Sequence, residues 1–388
     1  MKSIIKLWDR FFPPVHPLPA GVYPYQSQTA SGSPFRLHLR LEPEGHGVLI
    51  INARTVLHLN QTAAEYAYHL IHQTPEEQLA RIIAKRYQVS KKTAQKDFKD
   101  LVERIQSLAN TIDLDPVTYL DMERAEPYSD IGTAPYRLDC ALTYKTAGDY
   151  LPHAAPVERV KRELLSEEWK TILKKAWEAG IPHIVFTGGE PTLRPDLAEL
   201  IAYAEGLGQV TGLITSGERI SETGYLHKLL ESGLDHMVLV IRPEEDQAWE
   251  ALRDSLAEDI AITVHLTVTH HNQSDCQTIL QRLARMGVKS ISLSASRLDL
   301  QDALNFAREE VAVNGMQLVW DMPVPYSDLH PVALELAEVD QPYRRGAGQA
   351  WLYLEPDGDV LPGQGIQNVL GNLLTDSFEV IWKNRQPG

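Results

Sequence analysis

Phe186-Thr187-Gly188-Gly189-Glu190-Pro191-Thr192-Leu193-Arg194-Pro195-Asp196-Leu197 is the stretch on which the reading of this chain turns. The run His183, Ile184, Val185, Phe186 before it has strand character, and helical spacing of apolar residues begins after it. The string therefore joins a strand end to a helix start. Its two glycines let the backbone come close to a ligand, and Glu190 can accept hydrogen bonds from an ammonium group. A lone Gly-Gly would indicate no more than a strand-to-helix turn; the full string is far more specific.

Working outward, strand-like runs recur at 138–143, 183–186, 210–215, 236–241, 261–268, 290–294 and 317–320. Helical runs separate them, such as 166–179, where Trp169, Ile172, Leu173 and Ala176 share one face. Strand then helix, repeated, predicts a parallel sheet with crossover helices. A closed eight-unit barrel takes roughly 250 residues. The 136–340 stretch is shorter, which predicts an α/β partial (β/α)6 barrel with its site at the carboxyl ends of the strands.

Upstream, strands at 35–41, 48–51 and 55–59 precede three helices. Thr62, Thr74-Pro75 and Ser90 are the expected helix starts. Together, residues 35–110 predict a winged-helix-like α+β domain. Residues 1–34 read as an irregular N-terminal arm, with a short apolar stripe within 1–12. Residues 111–135, with Pro116, Pro127, Gly132 and Pro135, read as a linker, and 341–388 as a short tail domain.

The chain has 388 residues and a formal charge of -15. That acidity argues against nucleic acid as a partner. The cluster Lys91, Lys92, Lys96 and Lys99 reads as solvated charge, not as a DNA-binding helix face. Two cysteines, Cys140 and Cys276, exclude a disulfide framework and any zinc site with three or four thiolates. No apolar run is long enough for a membrane helix. With no signal sequence read at the start, a cytoplasmic location is the expectation.

The Gly188-Gly189-Glu190-Pro191 string resembles the Gly-Gly-Glu-Pro motif of the radical S-adenosylmethionine (SAM) superfamily, in which this turn receives the amino group of SAM. Other segments extend the likeness. Residues 136–144 are similar to the first barrel strand of that family, and Thr215-Ser216-Gly217 stands where the family often has Thr-Asn-Gly. The C-terminal string Leu354-Glu355-Pro356-Asp357-Gly358-Asp359-Val360 resembles the cysteine-rich (SPASM-type) tail of the peptide-maturing members. The resemblance implies a pocket for SAM or another small ligand at Gly188, Gly189, Glu190, Pro191, Ser216 and Gly217.

The departure from the family is equally specific. After the first barrel strand the family carries three cysteines that hold a [4Fe-4S] cluster. This chain has Thr146, Tyr150 and His153 in the corresponding places. Fe–S clusters are held by thiolates, with rare histidine replacements. The tail likewise has Gly363 after Leu361-Pro362 where the family has cysteine, and Arg345 where another is common. These positions imply that the clusters are lost, so no cofactor and no catalytic residue is expected, with residual SAM binding left open.

Two further readings concern single residues. Arg242 at a strand end could bind a carboxylate or form a surface salt bridge. His265, His270 and His271 are close in sequence, but neighbours on a strand point to opposite faces, which argues against a metal trio.

The 35–110 domain resembles the precursor-recognition domains of peptide-maturation systems, the type named after the D protein of pyrroloquinoline quinone biosynthesis. The carrying residues are Gly47-Val48-Leu49-Ile50-Ile51-Asn52 and Val56 to Ala64. The resemblance implies that a leader peptide adds as a strand at Thr55, Val56, Leu57, His58 and Leu59, beside Lys91, Gln95 and Phe98 of the third helix. The implied partners are a precursor or leader peptide and an active maturation enzyme. The first expected function is thus a non-catalytic peptide-binding partner; the alternative is an enzyme that uses SAM or another small ligand without a cluster.

Overall fold

Repeated strand and helix signals in the larger part of the chain build one sheet. The computed structural model describes residues 15–27, 35–52, 55–110, 132–146, 155–156, 158–320, 322–327, 329–330, 334 and 346–385. Two units divide the chain, Met1–Glu126 and Pro127–Gly388.

In the larger unit, β5 (Arg137–Thr143), β6 (His183–Gly188), β7 (Val210–Thr215), β8 (His236–Ile241), β9 (Ala261–Val268), β10 (Ser290–Ala295) and β11 (Gln317–Leu318) lie side by side in chain order, all parallel. Six described helices link them: α4 (Ser166–Glu178), α5 (Leu197–Leu207), α6 (Tyr225–Glu231), α7 (Asp246–Leu256), α8 (Cys276–Met286) and α9 (Gln301–Val313). These are the six strand-helix units expected of the partial barrel.

Alternate strand residues divide between two faces. Leu138, Phe186, Leu213, Leu239, Leu266 and Ile291 pack with Trp169, Leu200, Leu252 and Leu280 of the helices in one continuous core. The opposite, concave face carries Val185, Ile214 and Val238 as a small apolar cluster. Elsewhere that face is polar, with Asp139, Thr187, His265 and Ser292 all buried.

The sheet does not close. β11 is one edge, and on the other side β12 (Trp351–Leu354) pairs parallel with β5, followed by antiparallel β13 (Asp359–Leu361) and β14 (Gly371–Asn372). The segment read as a separate tail therefore adds strands to the main sheet. Trp351, Leu352, Tyr353 and Leu354 are buried throughout, as suits a strand covered on both faces. A final helix, α10 (Phe378–Asn384), buries Phe378, Ile381 and Trp382 in the same core.

The smaller unit is an antiparallel sheet of β1 (Gly21–Gln26), β2 (Arg36–Leu41), β3 (Gly47–Ile51) and β4 (Thr55–Leu59), in that order. Three helices follow it: α1 (Gln61–Ile71), α2 (Glu76–Tyr87) and α3 (Lys91–Asn110). The irregular-arm reading is corrected at residues 21–26. Val22, Tyr23 and Tyr25 are strand formers, and Pro24 is tolerated because β1 is an edge strand. The caps also differ in part. Asn60, not Thr62, caps α1 by accepting from the Ala63 N–H at 2.9 Å. Thr74 does not cap α2 but bonds His69 Nδ1 at 3.0 Å. Ser90 does accept from the Thr93 N–H at the start of α3, at 3.0 Å. The apolar stripe within 1–12 and residues 111–131 of the linker lie outside the described residues.

Among the described residues, no helix is long and apolar enough to cross a membrane.

Candidate functional site

The turn after β6 is locked to the end of β5 by backbone alone. Gly189 N–H donates to the Thr143 carbonyl at 2.8 Å, and Glu190 N–H to the Lys145 carbonyl at 2.7 Å. A Cβ on Gly188, where φ is +120°, would lie 2.2 Å from the Thr143 oxygen. A Cβ on Gly189 would lie 2.2 Å from the Lys145 oxygen. Both glycines are thus required by the close approach of two chain segments, before any ligand is considered.

Glu190 is fully enclosed, and its carboxylate is the hub of the corner. Oε1 accepts from Thr192 N–H at 3.0 Å, Thr192 Oγ1 at 2.5 Å and Thr215 Oγ1 at 2.8 Å. Oε2 accepts from Ser216 N–H at 2.7 Å and Ser216 Oγ at 2.6 Å. A carboxylate offers about four lone-pair sites. Five donors from the chain itself occupy them, and they tie the loop after β6 to the loop after β7. Gly217 N–H donates in turn to Thr215 Oγ1 at 3.1 Å.

The remainder of the opening motif braces the same corner. Arg194 grips Asp196 through two bonds of 2.9 and 2.7 Å, and donates to the carbonyls of Leu142 and Leu164 at 3.2 and 3.1 Å. Burial works against ionisation of Asp196, but Arg194 and Ser166 hold its carboxyl below the usual range. Beside the turn, one group is left over: Thr187 Oγ1 is buried and has no hydrogen-bond partner among the described residues.

Of the three positions where the family has cysteine, Thr146 lies just past β5, next to the Lys145 carbonyl that binds Glu190. Tyr150 and His153 lie outside the described residues. The chain has only two cysteines, and neither faces the turn. Cys140 belongs to the core between sheet and helices, where burial drives its thiol well above the usual range. Cys276, the first residue of α8, is buried in that core as well, and burial again raises its pKa. The described residues therefore do not fit a thiolate-held four-iron cluster.

Beside the Gly188 turn the described chain places aromatic rings and an ion pair. Tyr326 N–H donates to the Gly188 carbonyl at 2.9 Å, and the Tyr326 ring meets Tyr144 edge-on at 5.2 Å. Tyr144, Tyr326 and Tyr353 are all buried, together with Ala141, Ala155 and Leu361. Tyr144 Oη donates to Glu355 Oε1 at 3.0 Å, and Arg159 binds the same carboxylate. Burial raises the Glu355 pKa, while Arg159 and Tyr144 oppose that rise. Glu355 was visible in the sequence only as part of a tail motif. Its union with Arg159 and Tyr144 is made by the β5–β12 pairing, which sequence spacing does not reveal.

In the smaller unit, β4 is an outer strand, paired with β3 on one side and with no other described strand. Leu57 and Leu59 face the core with Leu101, Ile105 and Leu108 of α3. Thr55 and Val56 are half-buried, and His58 is exposed. Lys91 is exposed and Gln95 is half-buried. Phe98 packs with Tyr66, Leu79 and Ile83 between the helices, so it is Leu101 and the residues after it that line the sheet side of α3. Lys99 pairs with Glu76 at 3.2 Å, in keeping with the solvated reading of the lysines. Arg242 pairs with Glu245 at 3.1 Å, as in the salt-bridge reading. His265 and His270 do not converge: the first is buried in the sheet's concave face and the second is exposed beside Asp299.

A partial parallel barrel with a Gly-Gly-Glu-Pro turn after its second strand is the arrangement that the resemblance to radical SAM proteins implies. The "Radical SAM superfamily" family model matches residues 140–241. Over that segment the chain is similar to the radical SAM superfamily, and its likeness runs to peptide-modifying members. It is 28% identical over 248 residues to a PqqA peptide cyclase of Streptomyces rochei, covering 53% of this chain and 63% of that one. It is 26% identical over 269 residues to the PqqA peptide cyclase of Xanthomonas campestris pv. campestris (strain 8004), covering 61% of this chain and 69% of that one. The chain thus spans less than two thirds of the Streptomyces relative. Among solved structures, Streptococcus suis SuiB bound to its precursor peptide SuiA shares the fold, with a TM-score of 0.57 at 13% identity over 89% of this chain and 86% of that one.

Proposed function

We propose that this chain is a peptide-binding member of the radical SAM peptide maturases that has lost its iron-sulfur clusters and acts without radical chemistry, as a recognition partner in ribosomal peptide maturation. The observation that carries the reading is the state of the Gly188-Gly189-Glu190-Pro191 corner. Its glycines are required by the packing of β5 against β6, and its carboxylate is filled by five donors of the chain itself. The motif therefore has a structural reason to persist without SAM. The absence of a suitable cysteine set points the same way.

Among the described residues, no strand pairs with β4 on the side away from β3. An extended leader peptide would add there as a further strand, with α3 closing the groove through Leu101 and Ile105. SuiB, which shares the fold and has been captured with its precursor peptide SuiA, supports a peptide as the partner class. An active maturation enzyme is the second proposed partner.

One observation favours the alternative, an enzyme that uses SAM or another small ligand without a cluster. Thr187 Oγ1 is a buried hydroxyl beside the turn, unpartnered among the described residues. Anaerobic reconstitution followed by iron and sulfide analysis, with SAM calorimetry on the same preparation, separates the readings. The proposal expects no bound iron and no SAM heat. Stoichiometric iron with a brown visible band would overturn it. SAM binding at micromolar concentration without iron would favour the alternative. Peptide recognition is tested by pull-down of a short peptide encoded beside the gene.

A further inference from the structure

The run Met322-Pro323-Val324-Pro325-Tyr326 follows β11 and lies outside every described strand and helix. Its composition predicts an extended chain. Each proline fixes its own φ and lacks an N–H, and each pushes the residue before it, Met322 or Val324, out of the helical region. From Pro323 to Tyr326 only two backbone donors are left, on Val324 and Tyr326.

Both donors are taken up by the larger unit, at separate points. The Val324 N–H donates to Gln364 Oε1 at 3.0 Å, and Gln364 Nε2 donates back to the Val324 carbonyl at 2.6 Å. One side chain thus holds Val324 at both backbone groups, as a neighbouring strand would. The Tyr326 N–H donates to the Gly188 carbonyl at 2.9 Å. At the other end, the Met322 side chain packs on the apolar patch of Val185, Ile214 and Val238, and its sulfur accepts from Arg137 Nη1 at 3.5 Å. Pro323, Pro325 and Tyr326 are buried. The run is therefore docked along the concave face, from that patch to the Gly188 turn.

Its fastening differs from that of the strands beneath it. β5 to β10 are held by ladders of backbone bonds, whereas Val324 depends on the amide of Gln364. Met322, Pro323 and Val324 also line a cavity of about 300 Å³, so part of the run faces open space. A chain poor in N–H groups gives up few bonds when it lifts away. Its prolines keep it extended when free, so returning it costs little conformational entropy.

We propose that residues 322–326 are a latched strap, which occupies the concave face as a tethered peptide would, with Gln364 as its latch, and which an extended apolar peptide of the same chemistry displaces. Release uncovers the patch of Val185, Ile214 and Val238 together with the Gly188 carbonyl, an apolar surface with a hydrogen-bond acceptor at its end. The β4 edge contributes no residue, so the inference holds whether or not a leader peptide adds there.

Hydrogen exchange read by mass spectrometry on the full chain tests the latch. With prolines at 323 and 325, uptake across 323–326 reports on Val324 and Tyr326 alone. In Gln364→Ala both amides should exchange about tenfold faster or more, the worth of roughly one hydrogen bond, while β5 to β10 exchange as in the parent. Gln364→Glu keeps an acceptor for the Val324 N–H and should fall between the two; it carries the test if Gln364→Ala does not fold. Calorimetry with the peptide acetyl-Met-Pro-Val-Pro-Tyr-amide tests the occupant. A tethered strap competes at about millimolar effective concentration. The parent should therefore bind the peptide about tenfold or more weakly than Met322→Ser, whose strap has lost its apolar anchor. Adding Gln364→Ala to Met322→Ser should return binding to the parent level, because the free peptide needs the same latch. Faster exchange at Val324 with Tyr326 unchanged would reduce Gln364 to a local contact and overturn the strap. Unchanged exchange at both, equal peptide binding by parent and Met322→Ser, or full binding by the double variant would overturn it as well.

Discussion

The corner at Glu190 and the edge at β4 spend their hydrogen-bonding groups in opposite ways. At the corner, five donors converge on one buried carboxylate and two glycines bring the backbone segments into contact. At the edge, a strand is paired on one side only by described strands. A polar group already satisfied within the chain has little left to offer a ligand, because binding would exchange one bond for another. An unpaired strand edge has its bonds still to make, and proteins that keep one must cover it or use it. The resemblance to a SAM-binding family is strongest at the corner, yet the proposed docking of an extended peptide is at the edge.

The largest effect expected from this contrast is at Glu190. If the carboxylate is a structural hub, Glu190→Ala should cost about 4 kcal/mol of stability, because buried donors lose their acceptor. Glu190→Gln should cost less, since the amide keeps one oxygen. Urea unfolding of the larger unit, without any ligand, is the measurement. A stability change below about 1 kcal/mol would mean that the corner does not depend on its carboxylate, and the contrast with β4 would fail.

The concave face gives the next effect, through pH. His236 contacts His183 with ring nitrogens 2.6 Å apart, and burial, with Arg137 nearby, holds its pKa down to about 4 from 6.5. His265 bonds Ser292, Ser294 and Thr267, and burial, with His330 nearby, holds its pKa down to about 3. In the unfolded chain both take a proton below about 6.5. Between that pH and about 4 the unfolded state therefore binds more protons, and stability falls as pH falls. At one pKa unit per 1.36 kcal/mol, the loss between pH 7 and pH 4 should be a few kcal/mol, on the order of 3 for each histidine. His265→Asn should flatten that slope in an acid-denaturation series. An unchanged slope would show that this ring is not held neutral by its surroundings.

Much of this was legible beforehand. The six parallel strand-helix units followed from apolar runs of strand length alternating with stripes of helical spacing, a local signal. β1 was not legible, because Pro24 and the neighbouring glycines suggest a loop, and only the free side of β2 makes residues 21–26 a strand. The joining of β12 to β5 was hidden for a related reason: pairing between segments some two hundred residues apart leaves no periodic trace. At the site, the resemblance places Glu190 and Ser216 in one pocket, but the five hydrogen bonds that Thr192, Thr215 and Ser216 donate to the carboxylate are not legible, since they form only where two loops meet. Arg159, Glu355 and Tyr144 came together the same way.

At the β4 edge, prolines sort the two sides of the strand. Successive N–H groups along β4 alternate between β3 and the open side. Of Val56→Pro and Leu57→Pro, one removes a bond to β3 and destabilises the small unit, and the other removes an outward donor and leaves the fold. The outward variant should lose peptide binding by about tenfold, the worth of roughly one good hydrogen bond to an added strand. If both variants fold and bind the peptide as the parent chain does, β4 is not the docking edge.

The smallest effect is expected at Arg242, which bears on the corner from the next strand. It stands one residue past β8 and reaches Glu245 at 3.1 Å, with the two side chains 32% and 43% exposed. An exposed pair of this kind is worth about 0.2–1 kcal/mol, since water screens it and two long side chains must be held still. Arg242→Ala should therefore shift stability by no more than that, and salt should reduce the difference further. The comparison can be sharpened with SAM present. If Arg242 served a ligand carboxylate, the variant would be nearly silent in unfolding yet lose ligand binding. If it is the surface pair that the geometry shows, both measurements move little, and the corner offers a ligand neither an acceptor at Glu190 nor a committed cation at Arg242.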